Sequence, residues 1–265
     1  MTAIALFGVI AERLHEPSAA ARWELAIGLT AFSDRQLGWA GAALSFACGK
    51  HPQDPSLQLA CGSLSDIRAA QPADLLVQNV IEPAGPKTGS RTTPNPFEVA
   101  ARELPRETRQ AHLDAGRRLL DDFIQAEPSN VEARLRLAHI HIQSRKDTVA
   151  AVLLESLLSG STKLDARDEF LACLFLAGIR QRAGQLAAAA SLLDRAATAV
   201  PSGQSALVAR VAIDQERGNA SAVAAALDRL FRAPANPPDP WLDFHRGQFW
   251  TIDPLLAALR AEARQ

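Results

Sequence analysis

Tyrosine is absent from these 265 residues, methionine occurs once and cysteine only three times. Each shortage removes a class of protein. Cys48, Cys61 and Cys173 are odd in number and stand at no metal-ligand spacing, so neither a disulfide framework nor a cysteine metal site is expected. Buried, reduced thiols are the expectation instead. Net charge is also scarce, since 28 Lys and Arg oppose 29 Asp and Glu and leave −1. Such a balance provides no basic stripe for nucleic acid or an anionic membrane. No apolar run approaches the roughly 20 residues that a membrane-spanning helix needs. Ile4 to Ala11 is apolar, but no Lys or Arg precedes it and Glu12 and Arg13 follow at once, so it does not read as a signal peptide. A cytoplasmic compartment is expected. A chain whose leader had been removed would read the same, so a periplasmic or secreted location stays open.

Catalytic constellations are missing as well. The sequence holds no glycine-rich phosphate loop, no Gly-x-Ser-x-Gly elbow and no paired-cysteine metal motif. The histidines are His15, His51, His112, His139, His141 and His245. His139 and His141, two apart, fall on different faces of a helix, where a ligand pair wants a spacing of three or four. Glu12 and His15 have that spacing but lack a matching pair on another helix. Asp121, Asp122 and the run Asp165 to Glu169 fit helix surfaces and helix starts, where carboxylates are favoured. No catalytic, cofactor-binding or metal-binding residue is assigned, and no cofactor is expected.

What the sequence does contain is alanine, leucine and arginine in quantity, all strong helix formers. Together with the missing tyrosine, this alanine richness suggests a GC-rich bacterial genome. The clearest pattern is Phe170 to Pro201. Leu174, Leu176 and Ala177 line one side of a first helix that breaks at Ala183-Gly184. Leu186, Ala189, Leu193 and Ala196 then keep helical spacing up to Pro201. Gly184 suits a tight turn that a Cβ would hinder. Thirty-four residues on, Gly218 marks the turn of another pair closed by Pro234. Val131 to Leu158 repeats the pattern with Leu137, Ala138, Ala150 and Leu157, followed by a few extra residues, Ser159 to Lys163. Ile27, Gly28, Ala40, Ala47 and Pro52 place a unit near the start of the chain, and Ile4 to Leu14 looks like the second helix of an incomplete leading unit.

This periodicity resembles the tetratricopeptide repeat, on the strength of Leu176, Ala177, Gly184, Ala189, Ala196 and Pro201 and their counterparts. The resemblance implies an all-α fold, a right-handed α-solenoid of antiparallel helix pairs. Units begin near Arg22, Ser56, Val131, Phe170 and Gln204. Four segments follow: tetratricopeptide-like helices over 1–70, a proline-rich insertion over 71–105, further helix pairs over 106–234, and an aromatic connector with a capping helix over 235–265. Ser56 to Ala70 reads as a first helix whose partner does not follow. Instead Gln71 to Pro105 holds six of the sixteen prolines and reads as a flexible insertion. Helix resumes from Glu107 to about Ala126. Near the end, Trp241 to Trp250 carries four of the fourteen Phe and Trp residues. The segment is expected to cap the apolar face of the last repeat, with a ligand-facing aromatic patch as the alternative. Asp253-Pro254 has the chemistry of a helix start.

In the family, ligands lie in the groove lined by the first helix of each pair. The resemblance therefore implies a peptide-binding groove at Arg22, Leu25 and Leu29, His139 and Gln143, Leu174, Gln181 and Arg182, and Gln215. The lysine and asparagine clamp used for chaperone tails has no counterpart, since Leu25, Leu29, Leu135 and His139 cannot form it. A mixed groove with Arg22 and Arg182 as its cations suits an apolar peptide or an amphipathic helix. The expected function is a non-enzymatic scaffold or adaptor that binds another protein. The alternative is a structural subunit or self-associating solenoid, and an enzyme is the least favoured reading.

Overall fold

The structure, a computed structural model, describes residues 44, 46–70, 106–160, 163–232 and 239–246. Among them regular structure is helical throughout: α1 (Pro55–Ala70), α2 (Arg106–Ala126), α3 (Val131–Gln143), α4 (Asp147–Ser159), α5 (Ala166–Arg182), α6 (Leu186–Ala199), α7 (Gln204–Glu216), α8 (Ala220–Arg232) and α9 (Pro240–Arg246). They divide between two compact units, Met1–Ala126 with Arg246–Gln265, and Glu127–His245. The leading helices, the insertion 71–105 and the final helix after Asp253 lie outside the described residues.

In the first unit α1 packs against α2. This corrects the expectation that α1 lacks a second helix: among the described residues it packs on α2, which lies beyond residues 71–105. Leu57, Leu64 and Ile67 of α1 and Leu113, Leu120 and Phe123 of α2 are all buried. The two helices approach so closely at Gly62 that a Cβ there would stand 2.7 Å from Cγ of Leu120. A second correction concerns the cysteines. Residues 46–50 are helical and turn back onto α1, whose start is capped by Asp54 accepting from the Leu57 amide at 3.1 Å. That turn sets Cys48 opposite Cys61, and the two form a disulfide, with Cα atoms 6.8 Å apart and a sequence separation of 13. Only Cys173 among the three keeps its thiol, buried, and burial pushes it up to about 11.

The second unit holds three helix pairs on the expected plan. α3 packs on α4, α5 on α6 and α7 on α8, while each second helix also touches the first helix of the next pair, and α5 touches both α3 and α7. Alanine does the close packing: Ala150, Ala189 and Ala196 are fully buried against Leu154, Leu157 and Leu193. α5 begins at Ala166, four residues before the expected Phe170, because Asp165 caps it by accepting from the Asp168 amide at 2.7 Å.

The turns inside the three pairs share one geometry. Arg145, Gly184 and Gly218 each have positive φ, at 60°, 73° and 70°. The next residue donates back across the turn in each case: Lys146 to His141 O at 2.8 Å, Gln185 to Arg180 O at 2.8 Å, Asn219 to Asp214 O at 2.9 Å. This is the glycine-favouring end of a helix. Gly184 and Gly218 are 34 residues apart, whereas Arg145 and Gly184 are 39 apart because of the extra stretch 159–163. The added length hides Arg145 from the 34-residue count. A left-handed backbone is unfavourable for a residue with a Cβ, though glycine gives back part of that gain in the unfolded chain. Arg145→Gly is therefore expected to stabilise the fold by about 0.5 to 1 kcal/mol in urea unfolding. A loss of stability would show that Arg145 contributes through its side chain.

Candidate functional site

Glu132 and Arg136 sit one turn apart on α3, a spacing that lets their side chains meet. Arg136 is only 1% exposed, and its Nε donates to Glu132 at 2.8 Å. Glu132 also accepts from Arg167 of α5 at 2.9 Å, and Arg167 reaches Asp168 at 2.7 Å. Burial alone would raise the Glu132 carboxyl, but Arg136 and Arg167 outweigh it and hold the group below its usual range. Asp168 goes the other way. Only 6% exposed, it is raised to about 6 by burial, with the charge of Asp165 adding to the shift and Arg167 opposing it. Asp165 to Glu169 stands at the start of α5 as expected, with Asp168 buried there rather than exposed.

Arg136 has another partner, 108 residues away. Its Nη2 donates to the carbonyl of Phe244 at 2.9 Å, and its guanidinium lies 3.5 Å from the centre of the Phe244 ring. Phe244 is fully buried. Around it, Phe175 of α5 meets Trp241 at 5.5 Å and Phe244 at 5.2 Å between ring centres, and His139 of α3 stacks on Phe175 at 5.2 Å. The segment is anchored at its start by Asp239, which accepts from the Trp241 amide at 2.9 Å and so caps α9. The other oxygen of Asp239 accepts from the amide and hydroxyl of Ser205, at 2.7 and 2.8 Å, at the start of α7. The aromatic segment thus covers apolar surface as a cap does, but its rings meet the first helices α3 and α5. Among the described residues these rings cover part of the face expected to bind ligands, while the rest of the expected cap, after Arg246, lies outside the described residues.

Beside the seated segment a cleft of about 590 Å³ remains open, walled by α3, α5, α7 and α9. Leu174, Gly178, Val208, Ala209 and Leu242 make much of its wall, with Gln181, Arg182 and Ser205 as polar points. Val208 and Leu242 are the apolar side chains most open to solvent there, at 54% and 45%.

Of the residues expected from the sequence, the fold brings His139, Leu174, Gln181 and Arg182 together in this cleft. Gln143 lies behind them, its amide 3.3 Å from Nδ1 of His139. Gln215 is exposed and does not line the cleft. Arg22, Leu25 and Leu29 lie outside the described residues. Three of the residues placed in the cleft are already engaged. His139 is under the chain's own aromatic rings, and Arg182 makes a two-pronged ion pair with Asp147 of α4 at 2.8 and 2.9 Å. That hydrogen bond holds the Asp147 carboxyl below its usual range. Arg182 therefore acts as a bridge between α4 and α5 as well as a cation at the cleft. Gln181 donates to Glu216 of α7. Sequence reasoning missed Arg136, Phe175 and Asp239. The Glu132–Arg136 spacing and the Asp239-Pro240 pair, a helix-start signature like the one noted at Asp253-Pro254, were the available signals.

No protein-family model matches the chain, and no curated protein matches it. Among solved structures it is similar to a mutant of MamA, with 13% identity, a TM-score of 0.47, and coverage of 81% of this chain and 97% of that one. At that level the likeness carries no argument, and the repeat reading stands on the helix pairs and their turns. Among the described residues no cluster of His, Cys, Asp and Glu is arranged to hold a metal ion, and no helix is long and apolar enough to cross a membrane.

The buried carboxylates make stability depend on pH. Because the folded value of Asp168 is raised, its contribution is fully present below about pH 4 and is lost as pH rises through about 6. Relative to Asp168→Asn, the wild-type chain should gain about 2 to 3 kcal/mol in unfolding free energy between pH 7 and pH 4. Parallel stability curves for the two proteins would contradict the raised value.

Proposed function

We propose that the chain is a non-enzymatic scaffold or adaptor, and that the face formed by α3, α5 and α7 binds a peptide or short helix of another protein. The observation that carries this reading is the cleft beside α9, with exposed apolar side chains at its mouth and polar groups along one wall. An apolar concave surface with a few placed polar groups is the usual form of a binding site, and a groove of this kind suits the apolar side of an amphipathic helix. Buried alanines let the helices that build it pack closely. A second reading, self-association, draws on Phe231 of α8, which is 82% exposed. Light scattering across a concentration series separates the two.

The test uses a full-length chain changed at Val208, which is exposed and leaves the core untouched. Affinity capture from lysate with wild type and Val208→Glu, read by mass spectrometry, identifies candidates, and each is then titrated directly. Val208→Glu is expected to weaken a true partner by at least tenfold, about 1.4 kcal/mol, with an unchanged melting temperature. Arg182→Glu is a poorer test, because it sets a second negative charge against Asp147. Equal affinity of wild type and Val208→Glu for every captured protein would rule out this face as the docking surface.

A further inference from the structure

The seat of the aromatic segment is built as a receptor for a helix, and its occupant shows what such a receptor recognises. Trp241 and Phe244 stand three residues apart, so they share one side of α9. Both rings meet Phe175, and His139 lies within ring contact of each, at 5.8 and 5.4 Å. Arg136 contributes a different kind of contact, since it donates to a main-chain carbonyl that any residue following the same path would offer. Among the described residues α9 spans seven positions, Pro240–Arg246. A helix that short is unstable alone in water, so its conformation is supplied by the face on which it sits. Its attachment is a separate device: Asp239 clasps Ser205 at the start of α7, outside the ring socket.

We infer that this face recognises short helices bearing two aromatic rings three residues apart, and that Trp241 and Phe244 are the chain's own competitor for that place. The inference deepens the reading of the face as a docking surface and rests on it. The partner's rings pack edge-on against the stacked His139 and Phe175, as Trp241 and Phe244 do, its backbone carbonyl takes the Arg136 donor, and its remaining apolar side lies along the cleft toward Val208. For a partner to enter, α9 must leave, so the apparent affinity falls with the fraction of molecules whose own segment is seated. A segment seated in nine molecules of ten weakens an incoming helix tenfold.

The experiment measures binding of a fluorescent, end-blocked peptide covering residues 239–246 to three full-length chains by anisotropy. These are wild type, the double variant Trp241→Ala with Phe244→Ala, and Asp239→Ala, which releases the clasp but keeps both rings available to the core. The double variant is expected to bind at least tenfold more tightly than wild type, with Asp239→Ala between them. The same peptide with both rings changed to alanine is expected not to bind. Equal affinity for all three chains would overturn the competition, as would no binding to an opened chain that keeps its helix content by circular dichroism. If the double variant does not fold, Asp239→Ala against wild type decides alone. The two readings fail separately: a negative peptide result beside a partner lost with Val208→Glu removes only the aromatic-helix inference. Insensitivity to Val208→Glu removes the docking surface itself.

Discussion

The buried guanidinium of Arg136 is the constraint around which the second unit is arranged. A cation removed from water is tolerated only when it is paired and its donors are used. Here Glu132 supplies the charge, the Phe244 carbonyl takes a donor, and the Phe244 ring covers the planar face of the guanidinium. Each partner ties α3 to something else. Glu132 leads to Arg167 and Asp168 of α5, and Phe244 brings in the whole of α9. Removing the Glu132 carboxylate would take from buried Arg136 the counter-charge it has here, a penalty of about 3 to 5 kcal/mol in comparable sites. The network is therefore a coupling device, in which the position of the aromatic segment and the packing of the first two pairs depend on one another.

Helix pairs supply the rigid frame for that device. The three matched turns fix where each first helix begins and ends, so α3, α5 and α7 present corresponding turns to a common cleft. Small residues on the buried sides let the helices approach closely, and the longer side chains are left to shape the exposed wall. Polar bridges between pairs run along the rim, from Arg182 to Asp147 and from Gln181 to Glu216. Exposed bridges of this kind contribute little to stability, but they fix which donors and acceptors a ligand meets on arrival.

The frame was legible in the sequence because it is written in short-range pattern. Gly184 and Gly218, the alanines at 189 and 196, and the apolar spacing of α3 to α8 each report on contacts within about one repeat. The same reasoning placed Leu174, Gln181, Arg182 and His139 on one face. It failed wherever a partner is distant or interrupted. Phe244 meets Arg136 across 108 residues, and no periodicity encodes that meeting. α1 looked incomplete because 71–105 separates it from α2, although Gly62 and Leu120 show how closely the two fit. The Cys48–Cys61 bridge was missed because the cysteines were judged on number and metal spacing rather than on the helical turn that sets them opposite. Arg145 escaped notice because an arginine stands where its two counterparts are glycine.

Hydrogen–deuterium exchange on the full-length chain, comparing wild type with Phe244→Ala, tests the coupling between the aromatic segment and its receptor face most directly. The expected result is slow exchange in wild type over 241–245 and over 135–142 of α3, with both stretches losing protection together in the variant while α7 and α8 change little. Faster exchange in the aromatic segment alone, with α3 unchanged, would contradict it. The segment would then be a passive cover, and the face would owe nothing to its presence.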